Sequence, residues 1–441
     1  MQGSNDNAGS AAAGLRRLAK NLGWVLGGKG FAAICSLVYL AIMSRSLGIR
    51  DFGHFSLIFG TAQALVAMVS FQTWQTIVRF GVSRRVTGDW AGFGRLAWLG
   101  ISIDVTAAAL GCVVSAVIFF GFAETLGLNP EYVPMAFWFS CALLWGRMTT
   151  PQGVVRALDR FDLGSYVEAI SPAGRLIAAT LIALTQPSVL AFLVAWAAID
   201  LLVAAIYIWT AWRLAPQSLS RSNFGHWRKT VQENPGIRAF FGVTYSSSTL
   251  DAIYKQGPLL AVGYLLGTSA AGLYRLADQL AQGIGKLSQL LTRAVFPEFA
   301  LARAASSVRD FRRLVTKVTA MAAVAGISVT LVALLLGEEV LLLVGGDQYI
   351  AGAAILVPIA IGASFELAAV SYEPLLFSTG HAGYALVART LAVLALAIGI
   401  AAFLGAGAVG VGWAVALGLA IFYAVMSGMV WLVLPREKRA A

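Results

Sequence analysis

Six polar side chains, Arg275, Gln279, Gln282, Lys286, Gln289 and Arg293, recur at spacings of four and three in an otherwise apolar stretch. At about 100° per residue they share one narrow helix face, with Asp278 at its edge. Three cations and three amides are poorly suited to hydrocarbon. The stripe is therefore expected to border a water-filled lumen, where cations attract an anion and amides bond hydroxyls. A buried structural network would fit the same pattern if Arg275 and Arg293 reached the two interfaces, but Lys286 is near mid-depth and reaches neither easily.

A second polar face runs through Thr244, Ser247, Ser248, Asp251 and Lys255, with Pro258 continuing it as a site for a kink. Asp251 and Lys255 are four apart, so an ion pair within the helix and a substrate role for Lys255 both fit. Lys29 and Ser36 share a face of another apolar stretch, Lys29 about two turns from its end. Asp200 has no partner nearby in sequence. Glu168 and Arg175 are seven apart, and Asp104, Glu366 and Glu373 are isolated acids. Such groups form pairs between helices or a proton path.

Motifs of soluble chemistry are matched only superficially. Gly23-x4-Gly28-Lys29 lacks the Ser or Thr of a phosphate loop, since Gly30 follows, and no strand precedes it. Gly405-x-Gly407-x-x-Gly410 lies in a short turn between apolar segments. His54, His226 and His381 are scattered, and no metal or cofactor is expected. Cys35, Cys112 and Cys141 all lie in apolar blocks and read as packing residues.

Around these side chains the 441 residues are 59% hydrophobic and 12% charged, with mean hydropathy +0.77. The apolar excess comes in blocks of about 20, the length of a membrane-spanning helix. The expected architecture is all-α and polytopic, with about twelve spans in two six-helix lobes. The divisions are an N-terminal tail at 1–21, with Met1 to Ala13 disordered, and an N-lobe at 22–212. A linker at 213–237, a C-lobe at 238–434 and a C-terminal tail at 435–441 follow. Arg16, Arg17 and Lys20 precede the first block without an obvious cleavage site, which favours a retained span.

Most of the 32 Lys and Arg alternate with this topology and place both termini and the linker in the cytoplasm. That set includes Arg147 and Arg389, read as charges at cytoplasmic span ends. Glu124, Glu131, Glu338, Glu339 and Asp347 gather on the opposite side, with Arg45 and Arg50. The net charge of +11 is thus explained by topology, and no nucleic-acid partner is expected.

The halves repeat. Leu47-Gly48-x4-Gly53-x-Phe55 returns 219 residues later as Leu266-Gly267-x4-Gly272-x-Tyr274, and the same offset superposes Gly164 on Gly383. Six spans per half give both copies one orientation, a parallel repeat.

The basic start Leu15-Arg16-Arg17-Leu18-Ala19-Lys20-Asn21, the turn Ser44-Arg45-Ser46-Leu47-Gly48 and the run Ser70-Phe71-Gln72-Thr73-Trp74-Gln75-x3-Arg79-Phe80-Gly81 resemble the opening of Wzx-type polysaccharide flippases. Gly272-x-Tyr274-Arg275-x-Ala277 and Phe296-Pro297 resemble the family's second half. The wider superfamily includes multidrug exporters and lipid II flippases. The resemblance implies two lobes around a cavity lined by spans 1, 2, 7 and 8, in the inner membrane. It also implies a cargo of polyprenyl-pyrophosphate-linked oligosaccharide, moved from the cytoplasmic to the outer leaflet, and no covalent chemistry. Membrane lipids, a polysaccharide polymerase and glycosyltransferases are the further partners, and lipopolysaccharide or O-antigen synthesis is the context.

On that reading Lys29, Lys255, Arg275 and Lys286 attract the anionic head group, and Gln279, Gln282 and Gln289 bond sugar hydroxyls. Asp251, Asp278 and Asp200 hold the cations or couple an ion. Alternatives are a multidrug exporter of the same fold, for which an acidic lumen is expected, and a membrane glycosyltransferase or ligase. The short outside loops leave the latter no place for a catalytic acid. Cysteines introduced at Asn129 or Gly346, with the native three replaced, should label with an impermeant thiol reagent in intact cells. Labelling of 213–237 instead would overturn the orientation.

Overall fold

The computed structural model describes residues 3–122, 129–294, 308–370, 372, 376 and 382–433. Side chains are described there except those of 3–29, 221, 284–294, 308–315, 317–318, 382 and 433. The tail at 435–441, Phe296-Pro297 and Glu373 lie outside the described residues.

Helices account for nearly all of the described chain, with no strands among those residues. They run α1 (Gly3–Val69), α2 (Thr73–Thr87), α3 (Trp90–Gly121), α4 (Val133–Gly146), α5 (Thr150–Ala157), α6 (Phe161–Leu184) and α7 (Val189–Leu214). A short α8 (Trp227–Glu233) follows, then α9 (Ile237–Leu266), α10 (Thr268–Ala294), α11 (Val308–Gly345), α12 (Ala353–Ala368), α13 (Ala382–Phe403) and α14 (Gly407–Val433). Among the described residues seven apolar stretches are long enough to cross a bilayer. Two of them, Gly30–Val69 and Gly383–Leu432, are 40 and 50 residues long, and each contains two spans joined by a tight turn. Helix α1 begins at Gly3, so the disorder expected for Met1 to Ala13 is corrected from there on: Ala8 and Ala11 to Ala13 are strong helix formers.

The two copies of the glycine motif cross each other. Gly48 has φ 73°, ψ 174°, and Gly267 has φ 89°, ψ 174°, a backbone region closed to most L-residues. Each turn is followed by a glycine packed on the other copy's turn. A Cβ on Gly53 would overlap the carbonyl oxygen of Thr268, and one on Gly272 would overlap that of Ile49. Ile49 and Thr268 are themselves 219 apart, so the contact is reciprocal about a two-fold. Here α1 packs on α10 across the lobes.

Further contacts close the same end. Arg45 Nε donates to the carbonyl of Val344 at 3.2 Å, and its Nη2 to those of Leu342 and Leu343 at 3.2 and 2.6 Å. A cation thereby satisfies the last carbonyls of α11. The Ile49 N–H donates to Gln348 Oε1 at 3.3 Å, and the Tyr349 hydroxyl to Ser44 O at 3.3 Å.

Three apolar cores result. The largest draws on both lobes, including Phe52, Phe55, Leu259, Val262, Tyr274 and Leu341. Of the other two, one is mainly N-lobe but is joined by Ile237 at the start of α9, and the other belongs to the C-lobe. One packs Ile77, Phe93, Leu96, Val154, Val155 and Tyr207, and the other Tyr372, Leu396, Leu419, Phe422 and Met426.

Two expected spans are discontinuous. Span 2 breaks at 70–72, where Gln72 takes φ 48°, and resumes as α2. Span 4 breaks at 147–149 and resumes as α5 with Pro151 in its first turn, where proline's missing N–H is tolerated. Replacing Gly53 with Val should destabilise the purified protein by about 1–3 kcal/mol through overpacking at the crossing. Gly242→Ala on α9, where a Cβ meets nothing within 4 Å, should leave melting unchanged or slightly raised. Equal melting of both variants would contradict the tight crossing.

Candidate polar site within the bundle

The site is built from charges that hydrocarbon would not tolerate alone. Lys255 Nζ lies 3.0 Å from Asp251 Oδ2, and the other oxygen of Asp251 takes Arg389 Nη2 from α13 at 2.9 Å. Arg389 also lies 4.6 Å from the Phe422 ring. One turn away on α10, Gln282 Nε2 donates to both oxygens of Asp278, at 2.9 and 3.0 Å. Arg275 stands 3.9 Å from the same carboxylate. A cavity of about 250 Å³ in the C-lobe joins these groups, lined by Tyr254, Lys255, Asp278, Gln282, Glu366 and Arg389. That volume suits a head-group fragment or water rather than a whole glycolipid.

A second cluster lies in the N-lobe. Asp200 on α7 accepts from Arg175 of α6 at 2.9 Å and from Arg147, just beyond α4, at 3.4 Å. Arg147 also donates to Gln63 at 3.4 Å. The Arg175 guanidinium lies 5.6 Å from the Phe59 ring and 5.5 Å from that of Trp196. Arg275 of the C-lobe reaches the same Phe59 ring at 5.7 Å. Two like charges from opposite lobes thus converge on one aromatic ring, and Arg175 Nε is buried without a hydrogen-bond partner. Cation–π attraction offsets part of that cost.

Several expectations change. Arg147 and Arg389 are not charges at a cytoplasmic surface, because each is paired with a carboxylate inside the bundle. For Arg147 the physical reason is the broken helix: the span continues through α5 to Ala157. Arg175 and Glu168 do not engage each other; Glu168 pairs with Arg156 at 2.7 Å. Asp200 has two partners, both from other helices. Arg275 is turned inward to Asp278 and Phe59, not outward to an interface. Gln279 is half-buried on the same helix. The side chains of Lys29, Lys286, Gln289 and Arg293 lie outside those described. Arg79, on α2, stacks on Phe240 of α9 at 4.4 Å and links the lobes at the far end.

A model of the polysaccharide biosynthesis protein family matches residues 18–302. The chain belongs to that family. It is 24% identical over 358 residues to the inner membrane protein YghQ of Escherichia coli (strain K12), covering 79% of this chain and 98% of that one. Its fold is that of MOP-superfamily transporters. It is similar to an inward-facing multidrug resistance MATE family transporter of that superfamily, with TM-score 0.68 and 15% identity over 93% of this chain and 96% of the other. It is likewise similar to the lipid II flippase MurJ in an inward closed conformation, with TM-score 0.65 and 13% identity over 91% and 86%. This family member is a multi-pass membrane protein.

Asp200→Asn strands two guanidiniums and should cost about 3–5 kcal/mol, read as a lower melting temperature of the purified protein. Adding Arg175→Gln should recover part of that loss. A single variant as stable as its parent would contradict the pairing.

Proposed function

We propose that this family member moves a polyprenyl-pyrophosphate-linked oligosaccharide from the cytoplasmic to the outer leaflet of the inner membrane by alternating access. The observation that carries the reading is the convergence of Arg175 and Arg275, one from each lobe, on Phe59. Arg147 stands beside them, so three guanidiniums share two carboxylates, Asp200 and Asp278. A pyrophosphate entering between the lobes would relieve that repulsion and fill the vacant donor, and charge-assisted bonds in a dry site are strong. An acidic lumen, which cationic drugs would favour, is not what these pairs make.

The same chemistry assigns Lys29, Lys255 and Lys286 to the head group alongside the arginines. Gln279, Gln282 and Gln289 bond sugar hydroxyls, and Asp251, Asp278 and Asp200 hold the cations in place between cargoes or couple an ion. Positive-inside charge puts the glycine crossing at the outer face, so the described state is closed to the outside. Rocking of the lobes then exposes the cluster alternately. A polymerase and glycosyltransferases would act on the same glycan.

Complementation of a flippase deletion tests this. Arg275→Gln and Arg175→Gln should insert normally yet lower surface glycan about tenfold or more, the effect of losing about 1.4 kcal/mol. Arg275→Lys should retain part of the export. Wild-type export by both glutamine variants would remove the argument for an anionic cargo.

A further inference from the structure

The two broken spans of the N-lobe break beside one another, and their half-helices α2 and α5 start side by side. Between the two starts lies Asp104, from the middle of α3, only 9% exposed. Its Oδ2 accepts the backbone N–H of Thr150 at 2.8 Å, and its Oδ1 accepts the Thr73 hydroxyl at 2.8 Å. Thr73 Oγ1 also lies 2.7 Å from Thr149 Oγ1 and accepts from Thr150 Oγ1 at 2.9 Å. One carboxylate therefore caps α5 through a backbone N–H and holds the first residue of α2 through its hydroxyl, beside the positive ends of both helix dipoles.

Among the described residues no ion pair reaches Asp104, although its helix packs on α1, α2, α4, α5 and α8. The nearest charge in sequence on the α4 side, Arg147, is turned to Asp200 and Gln63. Arg84 of α2 and Arg95 of α3 both pair with Glu233 of α8, and Arg85 donates to Ala157 O. Arg79 of α2 lies on Phe240, and Arg156 of α5 is held by Glu168 and the Trp74 ring. Of the charged side chains described on α1, Arg45, Arg50 and Asp51 belong to the glycine turn. An acid buried at mid-span without a cation is costly when ionised.

We propose that Asp104 is a proton-binding site whose state sets how firmly the two half-helices are joined to the rest of the lobe. In the ionised state Thr73 and the Thr150 N–H both donate to the carboxylate. A proton delivered by water forms an O–H bond on Oδ1, which donates to Thr73 Oγ1. The Thr73 hydroxyl then turns to donate to Thr149, and the Thr150 N–H is left on a neutral, weaker acceptor. One proton is gained, and the negative charge beside both helix starts, which caps α5, is lost. The oxygens touch one another at 2.7 to 2.9 Å, which leaves no gap between them for a metal ion. The breaks separate the large two-lobe core from the smaller core around Ile77, Phe93 and Val154, so loosening the cap frees one body to tilt on the other.

Infrared difference spectra of the full chain in lipid nanodiscs, between alkaline and mildly acidic buffer, test this without any cargo. The carbonyl band of a protonated, buried carboxyl should appear on acidification and be lost in Asp104→Asn. Thr73→Val, which removes a donor to the charged form, should bring the band in at higher pH. Amide exchange at Thr150, Gln152 and Gly153, normalised for intrinsic rates, should quicken on acidification in the parent and be independent of pH in Asp104→Asn. If that variant fails to insert, Asp104→Glu must shift the band. A band absent from the parent, or unmoved by either substitution, would overturn the proposal, and pH-independent exchange in the parent would overturn the loosening.

Discussion

Everything else in this fold depends on the reciprocal crossing of Gly53 and Gly272. Two helices approach there until each backbone rests on the other's turn, a distance that any side chain would prevent. The positive φ of Gly48 and Gly267 aims the helices at that point. A parallel duplication supplies the two copies, so the lobes meet as equivalents. Arg45 and Gln348 then secure the junction with polar bonds from one lobe to the other. The largest core is shared at this junction, whereas the core around Ile77 takes Ile237 alone among its buried residues from α9, so separating the lobes at that end disturbs less buried apolar surface.

Charge inside the bundle obeys a second constraint. A carboxylate or guanidinium removed from water needs a partner, and removing that partner costs more than the pair gained. Asp251 takes both Lys255 and Arg389, Asp200 takes Arg147 and Arg175, and Asp278 takes Arg275 and Gln282. The surplus falls between the lobes, on Phe59. A fold that stores an unpaired donor, Arg175 Nε, and surplus positive charge where its two halves meet is suited to an anion that enters when they part.

Much of this was legible in the residues themselves. The glycine turns, the all-helical spans and the inward turn of Arg275 and Gln282 on α10 follow from local spacing, which the chain cannot disguise. The Lys255–Asp251 pair was legible for the same reason. Arg147–Asp200 and Arg175–Asp200 were not, because partners 53 and 25 residues apart on different helices leave no periodic trace. Arg147 was misplaced since charge and hydropathy both suggest a span end there; only Thr150-Pro151, a helix-start signal, marked the restart. The break at Gln72 carries no comparable signal, as its left-handed conformation is held by tertiary contacts. These include Phe71 stacked on Tyr245 at 4.8 Å, and the Trp74 indole adds a local bond to Gln72 Oε1 at 3.0 Å.

The central claim, that transport requires the lobes to part at the glycine crossing, can be measured by locking that crossing. Cysteines placed at Ile49 and Gln348, in a background lacking the native three, would be joined by a short thiol cross-linker in proteoliposomes containing a fluorescent polyprenyl-pyrophosphate glycan. The linked protein should lose lipid translocation while the unlinked double variant and each single variant treated with the reagent retain it. Using a cleavable linker, reduction should restore the rate. Translocation at the unlinked rate by fully cross-linked protein would contradict the account.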